Sequence, residues 1–198
     1  MARTRAADFE EKQRSLLDCA ASVFAELGMD KASMAHIAAQ AQVSKALLYH
    51  YYPGKDALIF DIVRTHLEEL DLALAQADRP TASPHERLRL LIHVVLEQYR
   101  DADNEHKVQL NCAGTLADEQ SEVLRRIERR IVRRFAEVIR AINPELNAER
   151  PLLQPVTMSL FGMMNWVYLW FDDDGPISRD DLADMMTTLL LEGVRAVR

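Results

Sequence analysis

The chain has few of the residues that break helices or build sheets. Six glycines and seven prolines in 198 residues leave little room for long structureless linkers. Alternating β-branched runs are scarce, whereas Ala, Leu, Arg and Glu, which favour helix, are abundant. A glycine-rich phosphate loop, metal-ligand spacing and a nucleophile motif are all missing, and the six histidines are scattered. We therefore expect no enzyme, no catalytic residue, no metal and no cofactor. Only two cysteines occur, Cys19 and Cys112, far apart and in apolar helical contexts. They read as reduced thiols of a cytoplasmic protein. The opening Met-Ala-Arg-Thr-Arg is not followed by an apolar core, so no secretion signal is expected. Residues 152–171 carry no charge and could span a bilayer by length alone. Gln154, Pro155, Thr157, Ser159 and Asn165 interrupt them and three aspartates follow, so a buried helix is expected and no membrane partner.

Positive charge is also short, with a net charge of −7. That excludes a generally basic nucleic-acid binder, but a local positive face would suffice for DNA. Residues 1–52 balance six Lys/Arg against six Asp/Glu, so the whole deficit lies in residues 53–198. Arg3, Arg5 and Lys45 could supply such a face, with Lys55 just beyond.

What is present is helical periodicity, which predicts an all-α fold. Leu16, Leu17, Ala20, Val23, Phe24 and Leu27 repeat at helical spacing up to Gly28, a C-terminal stop. Ser33 should cap a helix over 34–40 and Ser44 one over 45–51, with Pro53-Gly54 ending the second. Longer helices are predicted over 55–77, 85–100, 119–142, 151–171 and 178–197, and a short one over 107–116. Residues 79–84 are the clearest linker.

Three short helices with a tight turn between the last two make a helix-turn-helix. Small or apolar residues are needed where the pair crosses, and Ala38, Ala41, Val43 and Leu48 meet that need. The outer face of the last helix would present Lys45, Ala46, Tyr49 and His50 to the major groove of double-stranded DNA. Ser33, Ser44, Tyr51 and Lys55 would contact phosphates. The four consecutive rings Tyr49 to Tyr52 cannot all point inward on one helix, so some must be exposed.

The residues Gly28, Ser33 to Ala38, Ala41 to Tyr52 and Lys55 to Leu58 resemble the TetR family of transcriptional regulators, over residues 12–58. The resemblance implies an N-terminal three-helix DNA-binding domain, residues 1–54. It further implies a C-terminal helical domain for ligand binding and dimerisation, residues 55–198. Two positions depart from the family pattern. Gln42 stands where the turn usually has glycine, and Tyr52 where phenylalanine is usual. A non-glycine residue in the left-handed region costs ~1–2 kcal/mol, which predicts a slightly altered turn.

So small a motif reads few bases, so a homodimer on a palindromic operator is expected. The last two helices would form the interface through Met158, Leu169, Leu182, Met185, Leu189 and Leu190, with Met186 and Val194 alongside. A small-molecule effector would sit among Leu96, Tyr99, Cys112, Phe161, Met164, Asn165, Trp166 and Tyr168. Asn165 is the telling member, because an amide in an uncharged run needs a buried partner or a ligand. Residues 161–171 with Gly175 to Ser178 are similar to family members that respond to acyl-CoA thioesters, which implies such an effector. The paired arginines Arg125, Arg126, Arg129, Arg130, Arg133 and Arg134 could meet CoA phosphates or form a solvated face with Glu122, Glu128 and Glu137. A regulator that senses a non-CoA hydrophobic or aromatic ligand, as in drug efflux control, is the alternative. An enzyme and a non-DNA helical scaffold are the competing classes.

Overall fold

Capping chemistry fixes most of the element boundaries. The computed structural model describes residues 2–148 and 150–196, and the side-chain surroundings of residues 9–148 and 150–194. Among the described residues there are nine α-helices and no strand, as the composition predicts. They are α1 Ala2–Leu27, α2 Met34–Gln40, α3 Lys45–Tyr51, α4 Lys55–Ala77, α5 Pro84–Gln98, α6 Asp103–Asn111, α7 Asp118–Ile142, α8 Leu153–Asn165 and α9 Arg179–Ala196. Ser33 Oγ accepts from the His36 amide and Ser44 Oγ from the Leu47 amide, so both predicted caps are present. Ser178 caps α9, its Oγ accepting from the Asp181 amide. Ser83 and Glu86 form a reciprocal capping box at the start of α5.

Three helix ends differ from the sequence reading. The segment expected as one helix over 151–171 stops at Asn165, and a 3-10 turn, Val167–Leu169, follows. The tighter winding keeps Met164 and Val167, three residues apart, on one buried line. The helix expected over 107–116 runs instead over Asp103–Asn111. Asp101 at φ 61 breaks the chain before it and Gly114 at φ 81 after it. Val197, the expected end of the last helix, lies outside the described residues.

The chain divides into two compact units. The first holds residues 1–67 and 102–125, the second residues 68–101 and 126–198. In the first unit α1 packs on α2 and α6, and α2 on α3. Leu16, Ala20, Phe24, Ile37, Leu48, Leu58, Ile59, Ile62 and Val108 are buried there. In the second unit α5, α8 and α9 pack on one another. Leu88, Leu91, Ile92, Val95 and Leu96 of α5 are buried, as are Tyr99 at its end and Ile127, Ile131, Phe135 and Val138 of α7. Asp78, just after α4, accepts from Arg87 of α5 at 2.9 and 3.0 Å and from Arg134 of α7 at 3.4 Å. Asp71 accepts from Arg130 at 2.8 Å. No helix among the described residues is long and apolar enough to cross a membrane.

The first unit buries two imidazoles, His66 and His106, with ring centroids 6.0 Å apart. Burial, and then the neighbouring His106, lower the His66 pKa from 6.5 to about 4. The folded state thus keeps His66 neutral while the unfolded chain takes up a proton below pH 6.5. Stability is present in full above that pH and is lost as pH falls toward 4, by roughly 3 kcal/mol at the limit. Urea titrations at pH 7, 6, 5 and 4 should show this decline for the native chain. In His66→Leu the slope should be much shallower.

Candidate functional site

The turn between α2 and α3 keeps its geometry despite lacking glycine. Gln42 adopts φ 53, in the left-handed region. The Gln42 amide donates to the Ala39 carbonyl at 3.1 Å and the Val43 amide to the Ala38 carbonyl at 2.9 Å. This pair of bonds is the Schellman closure of α2. The altered turn expected from the sequence is therefore absent. The strain is accepted because two orphan carbonyls of α2 gain donors.

The closure sends the chain into α3, a helix of seven residues that buries only Leu48. Ala38 and Leu48 are buried where α2 and α3 meet, and Ala41 and Val43 are half-buried there. Ser44, Lys45, Ala46, Tyr49 and His50 are all exposed, Tyr49 by 52%. Tyr52, which ends the helix, turns inward and is buried. Its hydroxyl accepts from Gln13 Nε2 of α1 at 3.0 Å. Burial raises its pKa to about 12, so the phenol stays protonated. Of the four consecutive rings, Tyr49 and His50 are exposed, Tyr51 is half-buried against Phe9, and Tyr52 is internal.

Other predicted contacts divide. The half-buried Ser33 accepts a bond as a cap, which leaves its hydroxyl proton for another acceptor. Lys55 does not reach outward as expected. Its Nζ donates to the Met29 carbonyl at 2.7 Å, because that loop carbonyl sits within reach of the first turn of α4. Arg3 and Arg5 lie outside the residues whose side chains are described. One residue of this region was not singled out in the sequence, Gln13. It lies three residues before the buried Leu16 and seven before the buried Ala20 on α1, and that spacing could have flagged it.

In the second unit, Leu96, Tyr99, Phe161 and Met164 are buried. The Tyr99 hydroxyl donates to Asn165 Oδ1 at 3.2 Å, so the amide expected to need a partner has one. Burial pushes the Tyr99 pKa up, so this is a neutral hydroxyl–amide pair. Tyr168 is half-buried. Trp166 does not join this group. It caps α8 and is 56% exposed. Cys112 belongs to the first unit, where its Sγ donates to the Gln109 carbonyl at 3.2 Å. Arg130 and Arg134 are taken up by Asp71 and Asp78, while Arg125 and Arg133 are exposed, each beside one glutamate.

The apolar residues of α8 and α9 separate into two stripes. Leu182, Met186, Leu190 and Val194, four apart, are buried within the unit. They are internal core rather than interface, because this stripe is the one that meets α5 and α8. The other stripe is exposed, with Met158 and Met185 at 47% and Leu189 at 58%. Leu169, beyond α8, is 58% exposed.

The profile described as "Bacterial regulatory proteins, tetR family" matches residues 16–62. That described as "Tetracyclin repressor-like, C-terminal domain" matches residues 81–194. The HTH-type transcriptional regulator BetI of Brucella canis is 39% identical over 83 residues, 42% of this chain and 42% of that protein. The chain thus matches less than half the length of such curated relatives. A TetR-family regulator from Bordetella parapertussis has a similar structure, with TM-score 0.85 and 30% identity, covering 91% of this chain and 94% of that one. The structure of AibR in complex with isovaleryl coenzyme A and operator DNA is also similar, with TM-score 0.78 and 25% identity, covering 91% and 98%.

Relief of the Gln42 strain gives a first test of the turn. Gln42→Gly should raise stability by roughly 0.5–1 kcal/mol, the strain released less the added freedom of the unfolded chain. Gln42→Val should lower it, and urea midpoints of the two variants should move in opposite directions.

Proposed function

The chain belongs to the TetR family of transcriptional regulators, and we propose that it acts as a dimeric repressor released from a palindromic operator by a small-molecule effector. Its family is one of DNA-binding regulators with a helix-turn-helix rather than of enzymes. The observation that carries the reading is α3, a helix that buries one side chain and exposes Lys45, Ala46, Tyr49 and His50 together. Lys45, Ala46, Tyr49 and His50 would reach base edges, and Ser33, Ser44 and Tyr51 would contact phosphates. Residues 1–54 would then carry DNA recognition, and residues 55–198 effector binding and dimerisation.

Met158, Met185 and Leu189 support dimerisation. Three large apolar side chains exposed along α8 and α9 favour burial against a second copy. Leu169 extends this surface. Two copies place two reading helices on half-sites about 34–36 Å apart, or a multiple of that.

For the effector, Leu96, Tyr99, Phe161, Met164 and Asn165 offer an apolar wall that ends in a neutral hydroxyl–amide pair. That chemistry suits an acyl chain with a thioester carbonyl, and AibR, similar in structure, is named as a complex with isovaleryl coenzyme A. Positive charge for CoA phosphates would come from arginines of α7 in the second unit, of which Arg133 is exposed beside Glu137. Effector binding would shift the dimer population away from the half-site spacing that fits the operator.

Lys45→Ala and Tyr49→Ala should each weaken binding to a duplex selected by the wild-type chain by roughly tenfold or more, with the dimer intact by sedimentation. Unchanged affinity in both would remove α3 as the reading helix. Met185→Glu combined with Leu189→Glu should yield monomers at micromolar concentration, and a persisting dimer would remove the α8–α9 interface. Native mass spectrometry of freshly purified chain should show a retained acyl-CoA mass. A smaller hydrophobic or aromatic ligand instead would replace the thioester reading.

A further inference from the structure

We infer that Gln13 and the Tyr52 hydroxyl are a positioning device for α3, and that they set how sharply the chain distinguishes its operator from other DNA without touching either. This rests on α3 being the reading helix. A helix of seven residues has little stability of its own, so its angle must be imposed from outside. Leu48 is its only buried residue and acts as a pivot. The N-terminal end is fixed by the Ser44 cap and the closure through Gln42.

The C-terminal end is fixed by side chains of other helices. Tyr52 is buried, and its amide donates to the Leu48 carbonyl. Gln13 Nε2 donates to the Tyr52 hydroxyl at 3.0 Å and also lies 3.5 Å from Asp61 Oδ2. Asp61 is in turn held by Arg64, whose Nη2 and Nε donate to Oδ1 at 2.9 and 3.2 Å. One half-buried amide therefore joins α1, the end of α3 and α4. One turn earlier on α1, Phe9 stacks on Tyr51 with ring centroids 4.8 Å apart and planes 22° from parallel. Residues 9 and 13 are one helical turn apart and grip two consecutive residues of the α3 terminus. Two such grips stop rotation about the Leu48 pivot, whereas one would permit it.

The consequence falls on specificity more than on affinity. Base-edge hydrogen bonds tolerate little misplacement, while phosphate contacts made by long side chains adapt. A phenylalanine at position 52 would keep the packing and remove the acceptor of the Gln13 amide. The tyrosine that departs from the common pattern is thus the feature that makes the device.

The test uses the full-length chain and two duplexes, one selected from a random pool by the wild type and one scrambled. Dissociation constants are measured at several salt concentrations for Tyr52→Phe, Gln13→Met and the double variant, with thermal melting alongside. Each single variant should bind the selected duplex about five- to tenfold more weakly. Scrambled-duplex affinity and the salt slope should match the wild type. The double variant should be no weaker than either single. Retained discrimination would overturn the inference. So would a parallel loss on both duplexes that tracks a fall in melting temperature, or losses that multiply in the double variant. Gln13 is half-buried, so Gln13→Met keeps the test open if Tyr52→Phe folds poorly. Lys45→Ala and Tyr49→Ala belong in the same series. If they lose the selected duplex while Tyr52→Phe and Gln13→Met do not, only the positioning role fails. If they too bind normally, the reading of α3 fails and this role with it.

Discussion

Leu48 is fully buried, and it is the only side chain that α3 commits to the interior. A helix this short gains too little from its own hydrogen bonds to persist alone. Its existence therefore depends on that one anchor, on the Ser44 cap and on the buried Tyr52 at its end. The same economy leaves Lys45, Ala46, Tyr49 and His50 exposed together. A second inward residue would have stabilised the helix and removed part of that exposed face. Much of the first unit serves this arrangement. α2 supplies Ile37 and Ala38 to the core and closes into the turn, α1 supplies Gln13 and Phe9, and α4 supplies Asp61.

The second unit has a different problem. Charged groups within it are paired rather than left to the core. Arg179 is buried, and it donates to Asp173 at 2.6 Å and to the Leu96 carbonyl at 2.6 Å. Asp78 has its carboxyl held below the usual range by Arg87 and Arg134, against a burial effect that opposes this. With the charges satisfied in this way, the remaining polar pair of Tyr99 and Asn165 is neutral.

Local signals were legible in the sequence. Ser33 and Ser44 cap where they were expected, since a cap is a contact between residues three apart. On α9 the reading divided. Leu182, Met186, Leu190 and Val194 form one stripe and Met185 and Leu189 another, and periodicity alone does not say which stripe faces the core. Lys55 shows a further limit. Its partner is a backbone carbonyl 26 residues away, and nothing local to a lysine announces such a bond. Trp166 turned outward because α8 ends one residue before it, and helix ends are the least legible feature of a continuous apolar run.

The first unit is not one stretch of chain. It draws on residues 1–67 and then on residues 102–125, with 68–101 belonging to the second. The backbone therefore passes between the two units three times, and two of those passages lie inside α4 and α7. A hybrid regulator made by joining the front of this chain to the back of another would separate α1 from α6, the helix it packs against. Recombination in this fold is thus constrained at two places rather than one. A successful exchange of front segments would have to carry α6 along, or find a recipient whose α6 already fits the surface of α1.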